Sequence, residues 1–294
     1  MNKKQTRRKF LSITGTVASG LLLSGFSKCH SLEKIPIEKN LSTFGLQLYS
    51  LRDVLPQNPK KILKKVAGYG YSQIESYEGP KGMFWGMTNI EFKKYLDDLD
   101  LKIISSHCDT SINFEQKAEA AAAIGMQYLI YPWEGSGLSI DAYKKLADDF
   151  NALGRTCKEK GIRFAFHNHQ YSFQENEGII PQDILMQNTN PEWVDFQMDI
   201  FWVVAAGQDP HYWLEKYKNR FTLCHIKDRS KNPVNDEGQN SVVLGTGSID
   251  WTKVLPIAKA NGMQYYIVEQ EAYKGTTSLD AAKENAAYLE KFSF

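Results

Sequence analysis

Short apolar runs alternate with longer stretches of helical periodicity from Thr43 to the end of the chain. The apolar runs are rich in Ile, Val, Leu, Phe and Tyr, and their length suits strands of a buried parallel sheet. Eight such runs are present, namely FGLQLYS, YSQIESY, KIISSHC, YLIYPW, IRFAFHNH, WVDFQMDI, FTLCHIK and YYIVEQE. The hydrophobic pattern therefore predicts eight strands, numbered 1 to 8 in this order.

Residues that start and stop helices lie between these runs. Pro59 suits a first helical turn, Thr88–Glu91 has the spacing of a capping box, and Asp209-Pro210 combines a cap residue with a proline. The predicted helices cover Asn58–Gly70, the segment from Thr88 through Leu99, Glu115–Ile124, Ser139–Lys160, a helix beginning at Asp209-Pro210, Asp250–Asn261 and Ser278–Phe292. Strands and helices alternate without a linker-like change of composition.

This alternation predicts an α/β fold, a closed (β/α)8 TIM barrel over residues 43–294. The alternative is an open doubly wound sheet, which usually has a glycine-rich phosphate turn after its first strand. Here the corresponding segment reads SLRDVLPQNP and contains no glycine. We therefore favour the closed barrel.

The first 30 residues follow a different pattern. Basic residues are frequent up to Lys9, and the mildly apolar stretch Phe10–Phe26 is too short and too rich in Gly and Ser to span a membrane. Arg7-Arg8 followed by Lys9-Phe10-Leu11 resembles a twin-arginine export signal. We expect residues 1–30 to be a signal segment, residues 31–42 a tether, and the protein to be exported to the periplasm. The flanks of Cys29 fit lipidation and plain cleavage equally, and only lipidation would attach the protein to a membrane.

Composition narrows the possible partners. A formal net charge of +1 and a pI near 7.6 give no basic surface, so nucleic acid is not expected as a partner. The four cysteines are widely spaced and form no CxxC pair, which argues against a zinc ribbon and a redox motif. A small molecule is the expected ligand, and the oligomeric state stays open, a homo-oligomer included.

Polar side chains concentrate where the predicted strands end, which is where barrel active sites lie. In strand order they are Gln47, Glu75, His107, Trp133 with Glu134, His167 with Asn168 and His169, Asp199 followed by Trp202, His225 with Lys227, and Glu269. Four of the six histidines are thus predicted at one rim. Burying so many ionisable groups is costly unless they are paired, so a divalent cation is an economical explanation. Mixed imidazole and carboxylate ligands suit Mn²⁺, Zn²⁺, Co²⁺ or Fe²⁺ better than Ca²⁺.

Each of these residues also has a structural interpretation. A single polar residue at a strand end is more often a satisfied structural group than a ligand. Glu75 could equally be an ion-pair partner on the rim, and Trp133 and Trp202 could be core residues or a wall on which a sugar stacks. Cys108 and Cys224 are expected to point into the packing layer, away from the neighbouring histidines.

The motifs, taken in order, resemble the sugar phosphate isomerase/epimerase superfamily, whose barrels are related to xylose isomerase and endonuclease IV. The motifs are FGLQLYSLR, HNH, MDIFWVVAAGQDP, HIKD, LGTGSIDW and IVEQE, which extend from about Thr43 to the C-terminus. The resemblance implies a carbohydrate substrate and one divalent metal ion, most often Mn²⁺, with Zn²⁺, Co²⁺ or Mg²⁺ as alternatives. It implies ligands from strands 5 to 8, among which Asp199, His225 and Glu269 match directly.

Strand 5 departs from the family pattern. The epimerases of this family have a glutamate where this chain has His167. We predict that His167 takes the ligand position, that His169 faces the substrate or shares the site, and that Glu134 could restore a carboxylate to the metal shell. Of the two glutamate bases that the resemblance implies for a 3-epimerase, Glu269 alone is present.

One base and a metal ion leave two reactions open. Our main prediction is isomerisation or epimerisation of a sugar or keto-sugar through an enediolate, and the alternative is β-elimination by a lyase or hydratase acting on 3-keto-glycosides. Glu269 is the predicted base and His107 or His169 the acid, and Lys227 would stabilise the enolate oxygen or bind a substrate hydroxyl. The predicted substrate-binding residues are Gln47, Glu75, Trp133 and Trp202.

Two further considerations bear on the substrate and the class. Export and the lack of a glycine-rich phosphate cradle favour a non-phosphorylated substrate. A non-catalytic carbohydrate-binding barrel stays open as a third reading, although the retained Asp199, His225 and Glu269 argue against it. A DNA-repair endonuclease is disfavoured by the near-zero net charge.

Overall fold

The computed structural model describes residue 41, residues 43–234 and residues 238–294. The predicted signal segment, Cys29 and the predicted tether apart from Leu41 lie outside the described residues. Among the helices that are described, none combines the length and the apolar character needed to cross a membrane.

Eight parallel strands close into a barrel, as the hydrophobic pattern predicts. Consecutive strands pair with one another, and the first strand closes the barrel against the last through the pairs Gly45–Ile267 and Leu46–Val268. The strands are β1 Gly45–Gln47, β2 Gln73–Tyr77, β3 Lys102–His107, β4 Tyr128–Tyr131, β5 Arg163–His167, β6 Val194–Asp199, β7 Phe221–Ile226 and β8 Tyr265–Val268. The predicted (β/α)8 architecture is confirmed.

Helices connect the strands, and all seven predicted helices are present with ends shifted by a few residues. The α-helices within the described ranges are α1 Pro59–Gly68, α2 Asn89–Asp97, α3 Phe114–Ala122, α4 Ile140–Glu159, α5 Gln170–Phe173, α6 Pro181–Asn188, α7 Ile200–Ala205, α8 Pro210–Lys216, α9 Trp251–Ala260 and α10 Ser278–Leu289. The sequence pattern missed α5, α6 and α7, which are short. Nearly every residue of α7 is buried, so this helix has no polar face from which a helical period could be recognised.

Two of the predicted caps form as expected. Thr88 Oγ1 accepts a hydrogen bond from the Glu91 backbone, and the Glu91 carboxylate accepts one from the Thr88 backbone. Asp209 accepts from the backbone of His211, with Pro210 at the first helical position. Asp250, in contrast, makes no side-chain cap to α9, and its carboxylate accepts from the Thr252 hydroxyl.

The interior of the barrel changes from apolar to polar along its axis. An apolar layer lies towards the amino-terminal ends of the strands and consists of Ile104, Tyr128, Ile130, Ala165, Leu223 and Tyr265. Above it lies a fully buried polar layer made of Gln47, Glu75, Ser105 and Gln197. A register shift between β2 and β3 places Ser105, instead of Ile104, opposite Glu75. The polar layer is therefore built by the backbone register as well as by the residue types.

The segment after β7 is organised by Asp228. Its buried carboxylate accepts hydrogen bonds from the backbone N–H groups of Gly245, Gly247 and Ile249 at 2.9, 3.1 and 3.2 Å. A Cβ at Gly247 would lie 2.1 Å from Asp228 Oδ1, which explains the glycine there. The LGTGSIDW motif is thus wrapped around the Asp228 carboxylate. This carboxylate lies just after β7, the strand that contains His225, and directly follows Lys227. Short strands Asp228–Arg229 and Ser241–Val242 pair as an antiparallel ribbon beside it, and single turns of 3₁₀ helix cover Leu48–Leu51 and Gly238–Asn240.

We expect Asp228→Ala to lower the free energy of unfolding by about 2–4 kcal/mol, because it leaves several backbone N–H groups without an acceptor. Urea denaturation measures this loss. The matched control is Asp149→Ala, which removes an exposed ion pair with Lys145 and should cost less than about 0.5 kcal/mol. Equal losses in the two variants would contradict the structural role of Asp228.

Candidate metal centre and active site

Five ionisable side chains converge at the carboxyl ends of the strands. Three of them are the last residues of their strands, namely His107 of β3, His167 of β5 and Asp199 of β6. His225 lies within β7, and Glu269 directly follows β8. All five are buried, with exposed fractions of 8% or less. The ring centroids of the three histidines lie 4.6–5.5 Å apart. The structure thus brings together at one rim five of the residues that the strand-end argument selects.

The donor atoms of this cluster fit a divalent cation. His225 Nδ1 lies 3.2 Å from Glu269 Oε2 and 3.7 Å from Asp199 Oδ2. His167 Nε2 lies 4.0 Å from the same Asp199 oxygen. Ligands bound at about 2.1 Å to one ion are about 3.0–3.4 Å apart in octahedral or tetrahedral geometry. The spacing between His225 and Glu269 lies in this range, and the two spacings to Asp199 are longer.

One carboxylate oxygen of Asp199 accepts a hydrogen bond, and within the described ranges the other has ion-pair contacts only. Its Oδ1 caps α7 by accepting from the Trp202 backbone at 3.2 Å. Its Oδ2 is buried and, among the described residues, finds no hydrogen-bond donor. A buried carboxylate oxygen without a hydrogen bond is costly. Asp199, His225 and Glu269 lie close enough to share one cation, which would remove that cost, and His167 Nε2 lies 4.0 Å from the same Asp199 oxygen.

The charges of the cluster depend on one another. Burial lowers the pKa of His225, but the carboxylates of Glu269 and Glu75 more than offset this and raise it well above its ordinary value. Burial raises the pKa of Glu269, but Lys227 and His225 more than offset this and lower it well below its ordinary value. Without a cation, a proton on His225 therefore holds the carboxylates together.

Lys227 forms ion pairs with the carboxylates of this cluster. Its side chain is fully buried, and Nζ lies 3.3 Å from Glu269 Oε2 and 3.7 Å from Asp199 Oδ2, with a further hydrogen bond to the Glu271 carboxylate. Burial lowers the pKa of Lys227, but Glu271, Glu269 and Asp199 outweigh it, and the pKa is raised. The charged ammonium group therefore orients Glu269, and the predicted contact of Lys227 with an enolate oxygen or a substrate hydroxyl stays a prediction.

Glu75 lies beneath the three imidazoles. Its Oε1 accepts from His225 Nε2 at 2.6 Å and from Gln47 Nε2 at 2.8 Å, and its Oε2 accepts from Ser105 Oγ at 2.6 Å. Burial raises the pKa of Glu75, but His107 and His225 outweigh it and lower the pKa below its ordinary value. Gln47 and Glu75 are fully buried. This corrects their predicted contact with substrate, because they support the imidazoles from below.

A cavity of about 310 Å³ opens over the cluster, at the small end of the range of about 300–1,000 Å³ for small-molecule sites. His107, His167, His169 and Glu269 line it together with an aromatic group made of Tyr49, Tyr77 and Trp133. Trp133 is 61% exposed, so it belongs to the rim and not to the core. This position agrees with a wall against which a substrate ring could pack.

Trp202 lies behind the cavity lining. Its ring centroid is 5.2 Å from that of His169, and Lys227 Nζ lies 4.8 Å from the ring centroid. His169 in turn stacks on Tyr171 and has a buried Nδ1 that no described residue hydrogen-bonds. Burial and the charge of Lys227 lower the pKa of His169 to about 3, so its imidazole is neutral. In this arrangement Trp202 packs against site residues instead of facing a substrate directly.

Glu134 stands apart from the cluster. Its carboxylate accepts from the Tyr131 hydroxyl, and its backbone N–H donates to Tyr171 Oη at 2.8 Å. Within the part of the chain that the structure describes, two groups of side chains lie close enough to hold a cation, His107 with His167 and His225, and Asp199 with His225 and Glu269, and Glu134 belongs to neither. The structure therefore does not bring Glu134 to the predicted ligand position, and His167 is the residue that β5 offers.

Two residues without a predicted role hold the site in place. Asn168 pairs with the Asp199 backbone, donating from Nδ2 to the carbonyl at 3.2 Å and accepting from the N–H at 3.0 Å. Gln197 contacts Glu75 on one side and two histidines on the other. A polar Gln197 two positions before Asp199, on the same face of an otherwise apolar strand, was the available signal.

We expect the protein supplied with Zn²⁺ to bind one cation per chain, and Asp199→Ala or His225→Ala to weaken binding by at least about 100-fold, because even indirect contacts to a metal cost about 10- to 100-fold. Competition with a chelating dye measures the affinity. Asp109→Ala is the control, since this exposed carboxylate lines the cavity but lies outside the cluster. Unchanged affinity in both cluster variants would contradict the site.

The affinity should also depend on pH. The raised pKa of His225 means that the cation-free imidazole carries a proton on each nitrogen, and binding at Nδ1 must release one proton. Affinity should therefore rise by about tenfold per pH unit as the pH increases from acidic values towards the raised pKa. A constant affinity between pH 6 and pH 8 would contradict binding through His225 Nδ1.

Comparison with known proteins agrees with this architecture. A sugar phosphate isomerase/epimerase from Parabacteroides distasonis ATCC 8503 is 30% identical with a TM-score of 0.74, covering 85% of this chain and 98% of that one. The IOLI protein with a binding zinc atom has a TM-score of 0.70 at 16% identity, over 86% of this chain and 99% of that one, a likeness of fold alone.

Curated relatives match over a shorter length. The inosose dehydratase of Bacillus cereus strain AH820 is 30% identical over 144 residues, which are 45% of this chain and 48% of the relative, so the match spans about half of that protein. A family model described as the xylose isomerase-like TIM barrel matches residues 63–292. The chain therefore belongs to the xylose isomerase-like TIM barrel family, as its motifs predict.

Proposed function

We propose that this protein is a metal-dependent lyase that acts on a keto-sugar, keto-glycoside or keto-cyclitol. It removes a proton from the carbon alpha to the ketone and expels an oxygen substituent from the beta carbon. The observation that carries this proposal is the set of described side chains that line the cavity. At the end of β5 this described lining contains the imidazoles of His167 and His169 and no carboxylate, and among the carboxylates of the cluster Glu269 alone lines the cavity.

Glu269 is the base in this proposal. It lines the cavity, and its lowered pKa keeps it ionised and able to accept a proton. A divalent cation, when bound, polarises the ketone oxygen and makes the alpha hydrogen more acidic. Lys227 holds the Glu269 carboxylate in place, so the base keeps a fixed orientation towards the cavity.

His107 is the acid that fits the second half of the reaction. Its Nε2 is engaged by Gln197 Oε1 at 2.9 Å and by Glu75 Oε1 at 3.1 Å, so Nδ1 is the nitrogen available to the cavity that the residue lines. The electron pair left by the alpha proton forms the new double bond as the beta carbon–oxygen bond breaks. To protonate the departing oxygen from Nδ1, His107 must enter this step as the imidazolium, with hydrogen on both ring nitrogens. It would then leave the step as the neutral imidazole that keeps its hydrogen on Nε2. His169 is buried and neutral, and it serves better as a hydrogen-bond partner.

The charges around the cavity favour a substrate without phosphate. Four carboxylates line it, those of Glu78, Asp109, Glu269 and Glu271. In the described ranges neither Lys nor Arg is among its lining residues. A phosphate group would meet these carboxylates without a lysine or arginine side chain in the described lining to bind it. An uncharged sugar ring against Tyr49, Tyr77 and Trp133 suits these surroundings better.

The lyase reaction takes precedence over the isomerase or epimerase that the sequence favours. The matched curated relatives are dehydratases, which eliminate an oxygen substituent. Epimerisation would need a second group that delivers a proton to the opposite face of the enediolate. Burial and His225 lower the pKa of His167 well below its ordinary value, so the imidazole that β5 supplies is neutral and is not the acid that this step needs. Isomerisation or epimerisation stays the second candidate, since the Parabacteroides distasonis structure of that description is 30% identical.

The metal ion is proposed to be Zn²⁺ or Co²⁺ in preference to Mn²⁺. Two imidazoles and two carboxylates form a donor set richer in nitrogen than the family pattern implies, and imidazole favours these ions. A bound zinc atom in the IOLI protein, which shares the fold, supports the proposal.

Turnover of an inosose or a 3-keto-glycoside in D₂O tests the reaction. We expect the wild-type protein with Zn²⁺ or Co²⁺ to form an unsaturated ketone, with deuterium entering at the alpha carbon of recovered substrate where proton removal is reversible. Glu269→Gln should lower the rate by about 10²–10⁴-fold because the base is lost. The control is Glu284→Gln on the outer helix α10, which should keep the wild-type rate.

The products separate the alternatives. A ketone that is epimerised but keeps its beta substituent would contradict the lyase and favour the second candidate. Binding of the sugar without exchange or turnover, whichever cation is supplied, would favour a carbohydrate-binding barrel. A full rate in Glu269→Gln would exclude this residue as the base.

A further inference from the structure

We propose that Gln197 is a positioning residue that fixes the tautomer of His167, so that His167 Nε2 presents a lone pair to the cation. This inference rests on the metal-dependent function proposed above. Gln197 is fully buried in β6 and does not line the cavity. Its effect on the site is therefore exerted through the groups that it contacts.

The backbone fixes the orientation of the Gln47 amide. The Tyr49 N–H donates to Gln47 Oε1 at 3.0 Å, and a backbone N–H can act as a donor only. The Gln47 NH₂ group must then face Glu75 Oε1, which lies 2.8 Å away. Ser105 donates to the other Glu75 oxygen at 2.6 Å. Glu75 is therefore surrounded by donors and acts as an ionised acceptor.

An ionised Glu75 in turn orients Gln197. One end of the Gln197 amide lies 2.7 Å from Glu75 Oε2, and a carboxylate accepts hydrogen bonds only, so this end is the NH₂ group. The opposite end is the carbonyl oxygen, which lies 3.0 Å from His167 Nδ1 and 2.9 Å from His107 Nε2. A carbonyl oxygen accepts only, so both of these ring nitrogens must carry hydrogen.

The consequence for His167 is a defined ligand atom. A neutral imidazole with hydrogen on Nδ1 has its lone pair on Nε2. That atom lies 4.0 Å from Asp199 Oδ2, the buried oxygen for which the described residues supply no donor. Without Gln197, the other tautomer would let Nε2–H donate towards Asp199 and occupy the position of the cation. Gln197 thus keeps the ligating nitrogen free of hydrogen.

The tautomer can be read directly in the wild-type protein. With ¹⁵N-labelled histidine and no cation, we expect the nitrogen chemical shifts of His167 to report hydrogen on Nδ1 and a lone pair on Nε2. In Gln197→Met, which preserves volume but neither donates nor accepts in the same way, we expect a shift towards hydrogen on Nε2. Zn²⁺ affinity should fall by about 10- to 100-fold in the same variant.

Gln182→Met is the matched control. Gln182 is also fully buried, and within the described ranges neither of its amide atoms has a hydrogen-bond partner. It lies in α6 and should keep both the wild-type Zn²⁺ affinity and the His167 tautomer. Comparison of the two variants separates loss of a buried amide in general from loss of this particular contact.

Hydrogen on Nε2 of His167 in the cation-free wild-type protein would overturn the proposal, and this result needs no variant to fold. An unchanged tautomer and unchanged Zn²⁺ affinity in folded Gln197→Met would overturn it as well. Neither readout uses turnover. A protein that shows the expected tautomer and affinity but no elimination would contradict the lyase alone.

Discussion

The site depends on one buried interaction, the Glu75 carboxylate held beneath the histidines. Gln47 and Ser105 donate to it from the two neighbouring strands, Gln197 donates from β6 across the barrel, and His225 Nε2 donates at 2.6 Å. A buried carboxylate with this many donors stays ionised, and it fixes the ring of each imidazole that it contacts directly or through Gln197. Such carboxylate–histidine contacts orient metal ligands and increase their basicity. The geometry above Glu75 follows from this constraint.

The barrel makes this arrangement possible by burying it. An apolar layer seals the interior below the polar layer, and the rim groups are shielded from water, so charges act strongly on one another. The carboxylates of Asp199 and Glu269 are balanced by Lys227 and by a proton on His225. A divalent cation can replace that proton. Binding of the cation and release of the proton from His225 are therefore two sides of one equilibrium, which also sets the charge of the site during the reaction.

The fold and the membership of the rim cluster could be predicted from sequence because both follow simple rules. Buried strands leave apolar runs, and polar residues at their carboxyl ends must meet. The exact contacts of these side chains could not be predicted from sequence, because they depend on strand register and on the direction of each side chain. Glu134 turns to Tyr131, and Glu75 lies under the histidines because a register shift brings Ser105 beside it. Gln197 gave only a weak signal, a single amide within an apolar strand.

The most direct test of the account is anomalous X-ray diffraction from crystals soaked in Zn²⁺. The account predicts one peak about 2.0–2.2 Å from His167 Nε2, His225 Nδ1 and the carboxylates of Asp199 and Glu269. A peak on the opposite side of the imidazoles, between His107 Nε2 and His225 Nε2, or no ordered peak at the rim, would contradict it.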